Sequence, residues 1–350
     1  MTDWRLPEHR RRVFLDFYEF HLRYRAHPGG VYYLMPYLRS RLDWSDEEAL
    51  WYAFLNGNTQ HPITSLALHE ISPTPDNAAD MIAYFESHYE DLEFDTDRRY
   101  QKKALRDSVD GYLSMIGDRT QKEFWDSAAT GGFSSVWAYA TMIPGFGRLS
   151  AFSYSEYLRI MEIDFDCDTL FLDDRSGSRS HRNGLCIVSG LDSLDWHKSN
   201  PDFDGHYSAS ILNDLDATAR DLLTAMKTRS VGKPWERDVS LFTLESALCT
   251  YKSWHRPNRR YPNVYNDMLF DRIRKSETRR PASIFWDARR DCLPDHLRLE
   301  DSPTDPGLSP VKQNHYRLTG EVIMMSREYP EYGNEFERRV ADGSFGVRCD

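Results

Sequence analysis

Hydrophobic positions in the first 160 residues recur with the three- and four-residue spacing of amphipathic helices. Between residues 10 and 25, arginines occupy one face, and the other face carries Val13, Phe14, Phe17, Phe20, His21 and Tyr24. Alternation of apolar and polar residues, which is typical of half-buried strands, is scarce along the whole chain. The pattern therefore predicts a mainly α protein.

Turn residues and charged entries divide this helical region. The stretch His27-Pro28-Gly29-Gly30 ends the first pattern, because proline and glycine break helices. Acidic residues from Asp43 to Glu48 predict a helix entry that favours the positive end of the helix dipole. An apolar helix follows, and Asn56-Gly57-Asn58 is expected to interrupt it before another helix begins near Pro62.

Composition places the chain among globular proteins. Its 350 residues are 40% hydrophobic and 13% aromatic, and the net charge of −11 excludes a uniformly basic nucleic-acid-binding protein. We expect no secretory signal and no membrane span, because the chain shows no apolar signal core and no long uncharged apolar run. The five cysteines form no CxxC pair, which argues against a disulfide framework or a zinc ribbon and favours a reduced cytosolic protein. We expect a catalytic unit over residues 1–300 and a C-terminal extension over residues 301–350.

Charge is unevenly distributed. Residues 98–106 hold five basic side chains and no acidic one, and residues 252–280 are also strongly basic. Five aspartates fall between residues 164 and 174. Each run taken alone is more typical of a solvated helix face, but two such runs on an acidic protein favour an anion site at one of them.

The sharpest local motif is Ile143-Pro144-Gly145-Phe146-Gly147-Arg148, which lies between two apolar helical patterns. A Pro-Gly-apolar-Gly stretch lets two helices meet at a tight turn and leaves backbone N–H groups uncovered. Together with the positive end of the following helix, these groups suit a phosphate oxygen. An ordinary turn in a helical bundle would give the same short motif.

Residues 143–151 resemble the hairpin of the helix-hairpin-helix DNA glycosylases. In that superfamily an active-site aspartate follows about twenty residues after the hairpin, where this chain has Asp164, Asp166 and Asp168. Residues 54–60 resemble the glycosylase segment that places a polar side chain into the opened duplex. Leu149 stands where bifunctional members have a nucleophilic lysine, so Schiff-base lyase chemistry is not expected.

Further motifs occur in order at residues 168–174, 180–186, 244–252 and 259–265. With the two motifs above, they are similar to the α-glutamyl/putrescinyl thymine pyrophosphorylases of bacteriophages, the amino acid:DNA transferases, over about residues 10–275. The resemblance implies a two-lobed, glycosylase-like helical fold with the active site between the lobes. It also implies that an amino acid or polyamine replaces the pyrophosphate of 5-(pyrophosphoryloxymethyl)uracil in phage DNA.

This reaction sets the residue types that the site needs. Pyrophosphate leaves readily only if cations neutralise its growing charge; the candidates are Arg175, Arg179, Arg182, Lys252, Arg259 and Arg260. The attacking amine must lose a proton to a base; the candidate catalytic residues are Asp168, Asp173, Asp174, His181 and Glu245. We expect the target nucleotide to be extruded from the duplex. The candidate DNA-binding residues are Asn58, Gln60, Gly145, Gly147 and Arg148.

No motif predicts a bound metal or organic cofactor, since neither a phosphate-binding P-loop nor HExxH occurs. Analogy with glycosylases allows a monovalent cation at the hairpin carbonyls. The expected partners are the modified DNA and an amino acid or amine, bound by a monomer in the host cytoplasm. Two alternatives stay open: a base-excision glycosylase and a non-catalytic DNA-binding protein. The basic stretch around His181 favours pyrophosphate handling, because cleavage of a glycosidic bond needs no anion cradle.

Overall fold

The computed structural model describes residues 6–23, 25, 27–174, 179–194, 205–252, 264–277 and 282–293. Over these ranges the chain is mainly helical, as the hydrophobic pattern predicted. The α-helices of the described ranges are α1 (Pro7–Arg23), α2 (Val31–Arg41), α3 (Asp46–Thr59), α4 (Pro62–Ile71), α5 (Ala78–Ser87), α6 (Leu105–Ile116), α7 (Gln121–Ala129), α8 (Gly132–Met142), α9 (Arg148–Ile160), α10 (Ser180–Val188), α11 (Ala209–Ser230), α12 (Leu241–Tyr251), α13 (Val264–Ser276) and α14 (Ser283–Cys292).

Helix α3 begins where the acidic entry predicted but does not break at Asn56-Gly57-Asn58. A capping box between Ser45 and Glu48 starts the helix, which then continues to Thr59. Gly57 stays helical because α3 packs closely there: a β-carbon at this position would lie 3.3 Å from side-chain atoms of Phe146 and Tyr154. The glycine therefore serves close packing against the 143–147 turn and α9, and the prediction of a break was wrong.

Helices α8 and α9 meet at a tight turn formed by residues 143–147. Gly145 has a φ of +78°, a conformation that favours glycine, and the Phe146 amide donates to the Ile143 carbonyl oxygen at 3.0 Å. Ile143 and Phe146 are buried, whereas Gly145 and Gly147 are exposed. The turn is thus anchored by its apolar residues and presents its glycines to solvent. We call residues 143–147 the glycine turn.

The described helices pack in two groups. Helices α1, α10, α11 and α12 contact one another. Helices α3 to α9 form the other group, with α2 packed on α9, α14 packed on α2, and α13 packed on the short turn at residues 28–30. An extended segment leads from α9 towards α10, and in its first part burial alternates strictly from Ile163 to Asp168. The two-lobed glycosylase-like architecture remains a prediction, and the proposed extension over residues 301–350 lies outside the described residues.

Among the described helices, none combines the length and apolar character needed to cross a bilayer. The hydrophobic core consists of aromatic and aliphatic side chains contributed by both helix groups.

Glu156 on α9 is a buried carboxyl group within this core. The Tyr32 hydroxyl donates to its Oε1 at 2.8 Å. Burial, and to a smaller extent the charge of Glu245, raises the pKa of Glu156 from its ordinary value of 4.5 to about 8. The native protein therefore keeps a proton on Glu156 over a pH range in which the unfolded chain releases it.

We expect Glu156→Gln to stabilise the protein at pH 8. Between pH 4.5 and about 8 the native state binds more protons than the unfolded state. The free energy of unfolding therefore has its full Glu156 contribution below pH 4.5 and loses it as the pH rises through about 8. The glutamine stays neutral and still accepts from Tyr32. Urea unfolding should show a gain on the order of 3 kcal/mol at pH 8 and none at pH 4. The exposed Glu70→Gln is the control; equal unfolding free energies of both variants and the parent at pH 8 would contradict the prediction.

Candidate active site

Helices α10 and α12 cross in direct backbone contact at Gly184. A β-carbon on Gly184 would lie only 2.2 Å from the carbonyl oxygen of Leu248, so only glycine permits this approach. His181 lies three residues before Gly184, and Glu245 lies three residues before Leu248, one helical turn away in each case. The crossing therefore brings His181 and Glu245 together, with His181 Nδ1 3.1 Å from Glu245 Oε1.

The His181 ring is buried and held at both nitrogens. Nε2 lies 2.8 Å from the Leu170 carbonyl oxygen, and Nδ1 faces the Glu245 carboxylate. These contacts fix the ring, so His181 holds neighbouring groups in place.

Arg148, the first residue of α9, joins this pair through its guanidinium. Nε lies 3.3 Å from Asp174 Oδ2, and Nη2 donates to the Leu170 carbonyl oxygen at 3.1 Å. Nη2 also lies 3.3 Å from His181 Nε2. The buried Nη1 has no hydrogen-bond partner among the described residues. The side chain, 4% exposed, was expected on the DNA-facing surface, but it turns inward because the start of α9 points it at residues 170–174.

Opposing effects act on the Glu245 carboxyl group. Burial would raise its pKa, but the hydrogen bond from His181 and the positive charges of His181 and Arg148 outweigh burial and lower the pKa. Glu245 is therefore an ionised, buried carboxylate. Its charge balances that of the neighbouring cations.

Two further cations of the predicted pyrophosphate-binding set lie close by. Arg182 follows His181 on α10, donates from Nη1 to the Leu172 carbonyl oxygen at 2.9 Å and lies 4.8 Å from the Tyr207 ring centre. Burial lowers the pKa of Arg182 from its ordinary value. Lys252, at the end of α12, donates to the Ser180 hydroxyl. Residues 170–174 thus lie against cations contributed by α9 and α10.

We call the group formed by Arg148, Asp174, His181, Arg182, Glu245 and Lys252 the central cluster. Asp174 is its most open carboxylate, with a side chain 25% exposed against 9% for Glu245. Cations outnumber carboxylates in the cluster, so it suits an anionic ligand.

The other predicted carboxylates do not join the cluster. Asp168 and Asp173 are exposed, and the backbone oxygen of Asp168 accepts from Arg220 at 3.2 Å. Asp164 and Asp166 also face solvent, because alternate residues of an extended segment point to opposite sides. The aspartate-rich stretch therefore contributes Asp174 alone. Arg175, Arg259 and Arg260 lie outside the described residues, and Arg179 is exposed at the start of α10.

Asn58 and Gln60 do not protrude from the surface as the resemblance implied. Asn58 is fully buried; its Nδ2 donates to the Phe54 carbonyl oxygen at 3.2 Å, and its Oδ1 accepts from Arg98 at 3.0 Å. Gln60, 8% exposed, ends α3 in a left-handed conformation. Both side chains are drawn inward because α3 continues past Gly57. Arg98, which the sequence showed only as part of a basic run, is the group that binds Asn58.

The carbonyl oxygens of the glycine turn already accept hydrogen bonds from the protein. Phe146 N donates to the Ile143 oxygen, Ser108 Oγ to the Pro144 oxygen at 2.6 Å, and Arg98 Nη1 to the Gly145 oxygen. A monovalent cation at this turn would have to share these oxygens. Within the described ranges, no group of three His, Cys, Asp or Glu side chains is arranged to hold a metal ion.

An exposed glycine turn beside a buried cluster of cations and carboxylates suits a transferase that acts on an anionic polymer. The family model described as amino acid:DNA transferase matches residues 33–260, and the chain belongs to this family. A serinyltransferase of Salmonella phage ViI is 27% identical over 293 residues, which cover 78% of this chain and 71% of that protein. The family that the ordered motifs indicated is thereby confirmed. No solved structure matches the chain significantly.

Proposed function

We propose that this chain replaces the pyrophosphate group of 5-(pyrophosphoryloxymethyl)uracil in DNA with an amino acid or amine. Membership of the amino acid:DNA transferases supports the class of reaction. The observation that carries the finer proposal is Arg148: its side chain is 4% exposed, its Nε pairs with Asp174, and its Nη1 has no hydrogen-bond partner among the described residues. The free N–H group of this buried cation suits an anionic leaving group, and the partly open carboxylate beside it suits a proton released by the nucleophile.

The chemistry exchanges one bond at the exocyclic methylene carbon. The bond from this carbon to the pyrophosphate oxygen breaks, and its electron pair leaves with pyrophosphate. The nucleophile forms the new bond to the same carbon and loses one proton. The uracil ring shares the positive charge that develops on the carbon, and negative charge grows on the leaving oxygen, where preorganised cations are most effective.

Within the central cluster we assign leaving-group stabilisation to Arg148, Arg182 and Lys252. Asp174 is assigned as the base, because it is the cluster carboxylate most open to an incoming nucleophile. His181 and Glu245 are positioning residues: they are buried against each other, and His181 contacts the Leu170 carbonyl oxygen that Arg148 also contacts.

DNA binding is assigned to the glycine turn. Gly145 and Gly147 are exposed, and the amino end of α9 has no side-chain cap, so its backbone N–H groups suit phosphate oxygens. Arg148 links the two functions, because its backbone starts α9 at the DNA-facing turn while its side chain lies in the central cluster. A nucleotide extruded beside the turn would bring its modified methylene group towards the cluster.

The test is transfer on pyrophosphorylated DNA. The purified full-length chain is incubated with this DNA and serine, glycine, glutamate or putrescine in separate reactions; serine comes first because the phage ViI relative is called a serinyltransferase. Nucleoside mass spectrometry should show one adduct, matched by an equal amount of released pyrophosphate. DNA carrying unphosphorylated hydroxymethyluracil should give no product. Release of free base with an abasic site would favour the glycosylase alternative, and absence of any product would reject both enzymes.

Asp174→Asn should lower kcat for transfer by about 10²–10³-fold, because an amide cannot take the proton of the nucleophile. DNA affinity and thermal stability should change little, since Asp174 is partly exposed and the side-chain oxygen of the asparagine still faces Arg148. Asp173→Asn is the matched control, because its side chain is exposed and adjacent in sequence. Equal single-turnover rates of the two variants at saturating DNA would show that Asp174 is not the base.

A further inference from the structure

The basic run at residues 98–106 has no part in the chemistry above, yet it lies directly against the glycine turn. It forms two short 3₁₀ turns, Arg98–Tyr100 and Lys102–Ala104, which lead into α6. We call residues 98–104 the basic segment. On a protein with a net charge of −11, a local run of cations at this place is a feature to be explained.

Arg98 fastens the basic segment to the turn. It is fully buried, and Nε donates to the Asn58 carbonyl oxygen at 2.8 Å while Nη1 donates to the Gly145 carbonyl oxygen. Its guanidinium lies 5.1 Å from the Phe146 ring centre. Burial lowers the pKa of Arg98 to about 10, but several acceptors and an aromatic face compensate its charge. Arg98 therefore has a structural role, because it holds the basic segment against the glycine turn.

Helix α6 provides a second attachment. Ser108 Oγ donates to the Pro144 carbonyl oxygen at 2.6 Å. The Pro144 ring packs on Gly111 so closely that a β-carbon there would lie 2.4 Å from Pro144 Cδ. Ala104 also borders the turn, with its Cβ 3.4 Å from the position that a β-carbon on Gly145 would occupy. The basic segment, the start of α6 and the glycine turn thus form one continuous surface.

The side chains that the basic segment exposes are two cations and an aromatic ring. Arg99 and Lys103 are exposed, and Tyr100 is 75% exposed with the Arg99 guanidinium 4.8 Å from its ring centre. Other cations of the run are engaged: Arg106 pairs with Glu86 at 2.7 Å, and Lys102 lies over the Tyr89 ring. Within the described residues, Arg99 and Lys103 contact no carboxylate at ion-pair distance.

We propose that Arg99, Tyr100 and Lys103 form a second DNA contact that extends the strand path beyond the glycine turn. The identity of the ligand rests on the proposed function, whereas the surface is given by the contacts above. Unpaired cations bind phosphates, and an exposed tyrosine beside them offers a face on which a base or sugar can pack. Because Arg98 joins the segment to the Gly145 carbonyl, these three side chains belong to a segment that packs directly against the turn to which DNA binding is assigned.

The proposal is tested with unmodified duplex DNA, so that binding is measured without transfer. Fluorescence anisotropy gives Kd over a series of salt concentrations for the parent, R99A/K103A and Y100A. If each cation neutralises one phosphate, R99A/K103A should reduce the slope of log Kd against log salt by about 1.8. Its Kd at low salt should rise about tenfold or more. Y100A should weaken binding about fivefold or more with an unchanged salt slope.

The charge-matched control is K227A/K233A, which removes two exposed lysines from the end of α11 and the loop after it. Helix α11 belongs to the group formed with α1, α10 and α12. The control variant should retain the salt slope of the parent to within about half of one phosphate contact. Thermal melting verifies that all variants fold, as expected for exposed positions. The proposal is overturned if R99A/K103A has the same salt slope and Kd as K227A/K233A. Failure of transfer with an altered salt slope in R99A/K103A would remove the proposed function and leave this DNA contact standing.

Discussion

Gly184→Ala is expected to destabilise the protein by about 3 kcal/mol and to lower transfer activity by at least about 10²-fold. Alanine raises helix propensity, but its β-carbon would lie 2.2 Å from the Leu248 carbonyl oxygen, a backbone atom that cannot move without moving α12. The two helices must separate, and His181 then loses its 3.1 Å contact with Glu245. Urea unfolding and the transfer assay measure the two effects.

Gly147→Ala is the control for stability, because a β-carbon there meets no atom within 4 Å and the φ of −85° suits any residue. It should unfold at nearly the same urea concentration as the parent. If Gly184→Ala shows parent-like stability and activity, the close crossing of α10 and α12 does not hold the central cluster together. A loss of stability with activity retained at low temperature would separate the packing role from the positioning role and contradict the second.

Arg148→Met should lower kcat by about 10²–10³-fold at saturating DNA while leaving DNA affinity unchanged. The guanidinium is buried among Asp174, Leu170 and His181, so its loss removes stabilisation of the leaving group and leaves the exposed glycine turn intact. Arg148→Lys should recover part of the rate, because a lysine restores charge without the planar, forked geometry. Single-turnover rates and anisotropy with unmodified DNA provide the two readings.

The outcome also separates two roles for this arginine. If Arg148 contacted DNA at the surface, its loss would raise Kd for unmodified DNA and leave the rate at saturating DNA unchanged. We expect this behaviour of the R99A/K103A variant and not of Arg148→Met. Equal loss of affinity in both variants would place Arg148 on the DNA and contradict its assignment to the leaving group. Melting temperatures verify that Arg148→Met folds.

Much of the fold was predictable from short-range patterns. The helical class, the entry to α3 and the turn between α8 and α9 all follow from the spacing of apolar residues and from Ser, Pro and Gly at helix ends. The break expected at residues 56–58 was wrong, because Gly57 is required by close packing against Phe146 and Tyr154, which lie far along the chain. Local sequence carries no record of such a neighbour.

The candidate site was predictable in residue type but not in arrangement. His181, Glu245, Arg182 and Lys252 were singled out, and they lie in one cluster. Asp168, Asp173 and Asp174 were all candidate bases, and only the path of residues 163–174 shows that Asp174 meets Arg148 while Asp168 and Asp173 face solvent. Arg148 and Asn58 were placed on the wrong side of the surface, because one-dimensional spacing does not give the direction of a side chain at a helix end.

The sequence by itself determined the helices, the glycine turn and the family, because these depend on neighbours within a few residues and on short motifs kept in order. Only the tertiary structure decided which carboxylate meets which cation. That choice depends on the crossing of α10 and α12 at a glycine and on a buried arginine that fastens the basic segment to the turn. Both are contacts between distant parts of the chain, where close approach and desolvation, rather than local propensity, set the energy.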